Sequence, residues 1–140
     1  MSDSQELSVA DRVEIHELPG RYGDAIDDRN WDLLDRVFTQ DAVFDLTGVG
    51  SRVCDGLNDI KSFMEAEAAH PKTHMMTNIY ADADGDGAQM RSRIVALLGK
   101  GRTGTASYRQ RPLSCGWGVT ALGHGARLQA LTGIARRSSK

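Results

Sequence analysis

The chain has 140 residues, of which 40% are apolar and 26% are charged, and its formal net charge is -2. This composition predicts one ordinary globular domain over residues 1–140 and excludes a disordered or fibrous chain. No apolar run approaches the roughly 20 residues that a membrane span requires, so we expect no membrane partner.

The N-terminal segment is predicted to be helical. Ser8 and Asp11 have the Ser-x-x-acid spacing of a capping box, so a helix should begin near Val9. Apolar residues then recur at helical spacing on one face: Ile15, Leu18, Tyr22 and Ile26. Pro19 and Gly20 interrupt this pattern. Because an interior proline removes a backbone donor, at about 3 kcal/mol, we expect a kink or two consecutive helices.

A second helix is predicted after a turn at residues 27–30, with Asn30 as its N-cap. Its apolar stripe consists of Trp31, Leu34 and Phe38. Residues 41–46 alternate as a short strand, 47–56 are predicted to be a loop, and 57–69 return to helical spacing.

The remaining segments are predicted to be strands. Residues 73–81 and 88–98 flank a tight turn at 82–87, so these two strands should pair antiparallel. Two further strands are expected at about 104–110 and 117–122. Helices followed by a meander of strands favour an α+β fold.

The C-terminal segment differs in charge from the rest of the chain. All 19 acidic residues lie at or before Asp86, whereas residues 100–140 contain eight Lys or Arg residues and no acid. Three interpretations stay open: a basic arm for an anionic partner, the last strands with a solvated basic face, or a segment derived from an altered reading frame. The first would make a nucleic acid a partner, which is the outcome we expect least.

Two patterns resemble metal sites without matching them. The acidic turn at 82–87 resembles the start of a calcium-binding loop, but its twelfth position holds Arg93 instead of Glu. His70 and His74 have a zinc spacing only if both lie on one helix, which Pro71 disfavours. We therefore predict a hairpin turn at 82–87 and no metal.

The cysteines and the N-terminal segment indicate the cellular compartment of the protein. Cys54 and Cys115 have no metal or redox spacing. Residues 1–17 are acidic and lack the basic-then-apolar order of a signal peptide. We therefore expect a cytoplasmic protein with reduced thiols.

Tyr22, Asp27 and His74 form the candidate catalytic group. A carboxylate and an imidazole that meet in an apolar cavity can hold and move a proton near neutral pH. Each residue also has a structural alternative: a core aromatic, a helix cap and a hydrogen-bonded histidine, respectively.

Three segments resemble the SnoaL-like group of the nuclear-transport-factor-2-like superfamily: RYGDAIDDRNWDLLDRVFTQDAVFDL, GLNDIKSFM and THMMTN. The resemblance covers about residues 9–98 and is greatest to scytalone dehydratase, bile-acid 7α-dehydratase and hexachlorocyclohexane dehydrochlorinase. Those enzymes place an Asp four residues before a Trp or its equivalent, as Asp27 precedes Trp31, and a His on the first long strand after the third helix, as His74 does.

The resemblance implies a cone-shaped fold, in which a curved antiparallel sheet wraps the N-terminal helices and leaves a central pocket. It also implies a homodimer or homotrimer. The expected function is that of a dehydratase-like or dehydrohalogenase-like lyase acting on a small hydrophobic or polycyclic substrate. The alternative is a non-catalytic binding or assembly module of the same fold.

In the mechanism that we expect, Asp27 orients His74, His74 removes a proton, and Tyr22 donates a hydrogen bond to the developing oxyanion or to the leaving group. No cofactor is needed. The expected walls of the pocket are Phe44, Phe63 and Met64. By two-residue alternation Asn78 should share a strand face with His74 and hold a substrate oxygen.

Overall fold

A computed structural model describes residues 6–48, 51–66, 70–84, 87–101, 103–110, 112–113, 116–122 and 130–131. Within these ranges the chain forms two α-helices, one 3₁₀ helix and eight strands. None of the described helices is both long enough and apolar enough to cross a membrane. Of the basic C-terminal segment, residues 102, 111, 114–115, 123–129 and 132–140 lie outside the described residues, and so does its interpretation as an arm.

Helix α1 spans Val9–Asp27 and begins with the predicted capping box. The Ser8 hydroxyl accepts a hydrogen bond from the backbone N–H of Asp11, and the Asp11 carboxylate accepts one from the backbone N–H of Ser8. The helix continues through Pro19 as one element, so the expected division into two helices is wrong. Arg29, with a positive φ of 55°, lies in the turn that follows the helix.

The second helical segment is a 3₁₀ helix, Trp31–Arg36, and is shorter than the α-helix that its apolar spacing predicts. Strand β1 (Val43–Gly48) follows as expected, shifted by two residues. The predicted loop contains a short strand, β2 (Val53–Asp55), which pairs antiparallel with β1. Helix α2 spans Leu57–Ala66, and residues 67–69 of the prediction lie outside the described residues.

Strands β3 (Thr73–Asp84) and β4 (Gly87–Leu97) form the predicted antiparallel hairpin. Both strands extend into the segment expected to be a turn, as far as the pair Asp84 and Gly87. The register shifts between Thr77 and Tyr80, which marks a bulge in β3.

The last strands complete one sheet. They are β5 (Thr103–Gln110), β6 (Pro112–Leu113), β7 (Gly116–Leu122) and β8 (Ala130–Leu131). The strand order is β2-β1-β7-β5-β4-β3, with β6 and β8 each paired to β7. Neighbouring strands are antiparallel except for β1 and β7, which are parallel. The chain therefore has the expected α+β fold of N-terminal helices and a largely antiparallel sheet.

Helix α1 packs along β3 in the opposite direction. The Arg12 guanidinium donates to the carbonyl of Ala81 at 2.6 Å, and Gly23 lies against His74 at the other end of the strand. Buried side chains form two clusters at the two ends of this helix. The larger contains Ala25, Ile26, Leu34, Val37, Phe38, Ala42, Phe44, Leu46, Cys54, Leu57, Ile60 and Met64, and the smaller contains Ile15, Ala81, Ala88 and Met90.

Candidate active site

Asp27 and His74 are in direct contact, as the sequence predicts. The Nδ1 atom of His74 lies 2.5 Å from Oδ1 of Asp27, and the backbone N–H of His74 donates to Oδ2 at 2.8 Å. Both carboxylate oxygens are therefore used to hold one residue. The side chain of His74 is only 6% exposed and that of Asp27 17% exposed, so water competes little for these bonds.

This geometry fixes the state of the imidazole. An ionised carboxylate only accepts hydrogen bonds, so Nδ1 of His74 must donate to Asp27 and carry a proton. In the neutral ring the lone pair then resides on Nε2. Nε2 is then the ring nitrogen that can accept a hydrogen bond or a proton.

Local structure explains how residues 47 positions apart meet. Asp27 is the last residue of α1, and His74 is the second residue of β3. Gly23, one turn before Asp27, allows the helix to approach the strand closely. A Cβ atom at Gly23 would lie 3.3 Å from Cβ of His74 and 3.6 Å from Cγ of Met76.

Tyr22 completes the predicted group. Its ring lies edge-on to the His74 imidazole, with the ring centroids 6.1 Å apart. It also contacts Phe38 at 6.1 Å and Phe44 at 6.3 Å between centroids. The imidazole therefore lies beside an aromatic cluster, and of the predicted wall residues Phe44 belongs to it.

Phe63 and Met64 lie on α2 and pack with the larger core cluster. Met64 is buried, whereas Phe63 is half-buried. The Arg52 guanidinium lies over the Phe63 ring, 5.4 Å from the ring centroid. Both side chains are apolar, as a wall requires. They belong to the same cluster as Phe44 and Ala25.

Asn78 is not brought to this group. The bulge between Thr77 and Tyr80 breaks the two-residue alternation on which the prediction depends, and Asn78 takes a positive φ of 50°. Its side chain is exposed, and its Oδ1 accepts a hydrogen bond from the Thr77 hydroxyl. The face that carries His74 continues instead through Met76.

Ser92 is the polar residue that the sequence analysis missed on this side of the sheet. Alternate residues of β4 are buried: Ala88, Met90, Ser92, Ile94 and Ala96. Ser92 is the one polar side chain of this set, and alternation across residues 88–98 is the signal that could have found it.

His70 and Cys54 do not extend the site. Nε2 of His70 donates to the carbonyl of Met64 at 2.6 Å, and its ring packs on Trp31, so it does not act together with His74. Burial raises the pKa of Cys54, which keeps this thiol neutral. Among the described residues no group of three or more His, Cys, Asp or Glu side chains could hold a metal ion.

Comparison with known proteins assigns the family. Residues 7–117 match the SnoaL-like domain. An uncharacterised protein of Mycobacterium tuberculosis is 38% identical over 120 residues, which cover 81% of this chain and 77% of the relative.

Two solved structures, both from Novosphingobium aromaticivorans, are similar to the whole fold. One, provisionally described as an aromatic ring hydroxylase, is 29% identical with a TM-score of 0.61, covering 91% of this chain and 92% of the other. The second, provisionally described as a scytalone dehydratase, is 16% identical with a TM-score of 0.60, covering 96% and 89%. At that identity the second shows the fold alone.

Proposed function

Because this chain belongs to the SnoaL-like family, we propose that it is a lyase that removes a proton and a leaving group from adjacent carbons of a hydrophobic ring compound. The main support for the proposal is that both carboxylate oxygens of Asp27 accept hydrogen bonds from His74. These hydrogen bonds hold an imidazole whose side chain is only 6% exposed, in the orientation that a general base would need. The hydroxylase description of the 29% identical structure supports a ring compound as the substrate class.

In the proposed step, Nε2 of His74 takes a proton from a carbon next to an activating group. The C–H electron pair forms a carbon–carbon double bond, and the leaving group departs from the adjacent carbon with its bonding pair. Asp27 stabilises the imidazolium, which then gives the proton to the departing hydroxyl group or, when a halide ion has left, to solvent water. Water, or a halide ion and a proton, is released, and neutral His74 is restored. The reaction as written needs no cofactor.

Tyr22 would donate a hydrogen bond to the substrate oxygen that gains negative charge. Its ring lies beside the imidazole, so a substrate that reaches Nε2 of His74 also comes near this side chain. A phenol donor is suited to an enolate oxygen or a leaving hydroxyl. Phe44, Phe63 and Met64 would supply apolar contact to the ring.

The test is turnover of a panel of hydroxylated and halogenated ring compounds by matched variants. Asp27→Asn leaves one acceptor oxygen for two N–H donors, so His74 loses its fixed tautomer. His74→Gln removes the base. Since general base catalysis contributes about 10²–10⁴-fold, either change should lower turnover at least a hundredfold. Turnover is followed by absorbance of the new double bond and by release of halide.

Asp28→Asn is the control, because this exposed neighbour carries the same charge at the next position. It should retain full turnover. Equal turnover by the wild type and Asp27→Asn would refute the catalytic pair. A ligand that stabilises the wild type but is never converted would favour the binding module instead.

A further inference from the structure

We propose that Ser92 binds a polar oxygen at the end of the substrate remote from His74. The substrate is then an elongated fused-ring compound with polar groups at both ends. This inference rests on the proposed function, because it takes His74 as the reacting end.

The Ser92 hydroxyl is buried and has no hydrogen-bond partner among the residues that the structure describes. The residue is 2% exposed, and its Oγ atom is itself buried. Buried hydroxyl groups in proteins are nearly always paired, because removal from water without a partner is unfavourable. A ligand oxygen that reaches this position would form the missing hydrogen bond.

Ser92 lies on the same face of the sheet as His74. His74 pairs with Ala96, and Met76 pairs with Ile94, so these residues form two successive rungs on that face. Ser92 is the next buried residue of β4 after Ile94. The face therefore presents a polar group, an apolar stretch and a second polar group in order along the strands.

The bulge in β3 lies opposite Ser92. Thr77 pairs with Arg93 and Tyr80 pairs with Arg91, so two residues of β3 face the single residue Ser92. Bulges are enriched beside active sites, where they redirect side chains. Here the bulge directs Asn78 to solvent and leaves Ser92 as the polar group at this point of the inner face.

The distance between the two polar groups sets the size of the ligand. Ser92 lies four positions along β4 from Ala96, the partner of His74, which corresponds to about 13 Å along a strand. A single ring is too short to contact both groups, whereas three fused rings approach this span. Met76, half-buried between them, has an unbranched side chain that adapts its shape to a ligand.

The experiment compares two probes: anthracene with a hydroxyl at each end and anthracene with a hydroxyl at one end. Binding is measured by calorimetry and thermal shift, without turnover. The wild type should bind the first probe about tenfold more tightly, as one additional buried hydrogen bond predicts. Ser92→Ala should bind both equally, and its melting temperature without ligand should not fall, because the change removes an unpaired hydroxyl.

Ser62→Ala is the control, since Ser62 is an exposed serine on α2. It should keep the wild-type preference. A wild type that binds neither probe, or both equally, overturns the inference, and so does a preference that persists in Ser92→Ala. A preference that survives in Asp27→Asn, together with lost turnover, supports both proposals, whereas a preference without any turnover supports only the role of Ser92.

Discussion

Gly23 is the residue that determines how closely α1 approaches the strand carrying His74. It is buried, and the Cβ of a larger residue would meet Cβ of His74, which cannot rotate away. Gly20, one turn earlier on the same helix, is exposed, and an added Cβ would meet nothing within 4 Å. The two positions thus form a natural pair of the same residue type in different surroundings.

We predict opposite effects of alanine at these positions. Gly20→Ala should raise the free energy of unfolding by up to about 1 kcal/mol, because alanine is the better helix former. Gly23→Ala gains the same propensity but forces a contact at 3.3 Å, and overpacking of this kind costs about 1–3 kcal/mol. Urea denaturation measures both changes.

We expect turnover to differ between these two variants in the same way as stability. Gly23→Ala displaces His74 relative to Asp27 and should reduce turnover, while Gly20→Ala should leave it unchanged. If Gly23→Ala is as stable and active as Gly20→Ala, the close approach of helix and strand has no role in positioning the base.

Among single residues, the sequence predicted those candidate site residues whose chemistry depends on residue type. Tyr22, Asp27 and His74 were predicted together, and the structure places them in contact. Asn78 could not be placed, because a bulge depends on the register of two strands and not on the residues of one. Ser92 has no distinctive motif. Alternation across residues 88–98 places it on the inner face, but only the structure shows that its hydroxyl has no hydrogen-bond partner among the described residues.

At the scale of elements, an ion pair with two hydrogen bonds links the start of α2 to Arg52, the residue before β2. The two terminal guanidinium nitrogens of Arg52, Nη1 and Nη2, each donate a hydrogen bond to the Asp59 carboxylate at 2.9 Å. Asp59 lies in the first turn of α2 and also accepts from the backbone N–H of Asp55 at 2.9 Å. The same Arg52 side chain covers Phe63. This pair therefore fixes the start of the helix that carries two of the predicted wall residues.

The ion pair makes a pH-dependent contribution to stability. Hydrogen bonds from Arg52, and then from Asp55, lower the pKa of Asp59 from 3.8 to about 2. A folded state with a depressed carboxyl pKa binds fewer protons than the unfolded chain, so its contribution is complete above about pH 4. It is lost as the pH falls from about 4 to about 2. Because the pair is exposed, the effect is small.

Asp59→Asn should therefore lower the melting temperature by a constant amount above pH 5, and this difference should vanish near pH 2. Circular dichroism across a pH series provides the measurement. Glu65→Gln, an exposed acid on the same helix, is the control and should show no such dependence. A difference that persists unchanged at pH 2 would show that the ion pair is not its source.

Element boundaries were less predictable than element types. The apolar spacing of Trp31, Leu34 and Phe38 suits an α-helix, yet the chain forms a 3₁₀ helix of only six residues, and 3₁₀ geometry is typical of such short segments. Strand β2 is three residues long and depends on pairing with β1, a contact that its own sequence does not encode.

On the scale of the whole molecule, the sheet has an outer face that α1 does not cover. At one end of the strand order, β3 has no second neighbour among the described strands. Met75 and Leu97 lie on the outer side of this edge and are 48% and 40% exposed. Val95, the partner of Met75, extends the apolar surface between them. We define these three residues as the outer patch.

We propose that the outer patch contacts a second copy of the chain. A long unpaired edge strand with apolar neighbours is prone to association unless it is covered. Met75→Glu places a charge in the centre of the patch and should convert an oligomer into a species of 15.2 kDa, the mass of one chain. Sedimentation velocity across a dilution series measures this change.

Val13→Glu provides the matched control, because Val13 is a comparable apolar residue, 53% exposed, on α1. It should leave the oligomer intact, since α1 packs against the face of β3 that carries His74 and Met76, which is opposite to the face of the outer patch. Dissociation by both variants would indicate a general effect of charge. An oligomer that survives Met75→Glu, or a wild type that sediments as a single chain, would contradict association through the outer patch. The site itself is built within one chain, so turnover per chain should persist when Met75→Glu separates the copies.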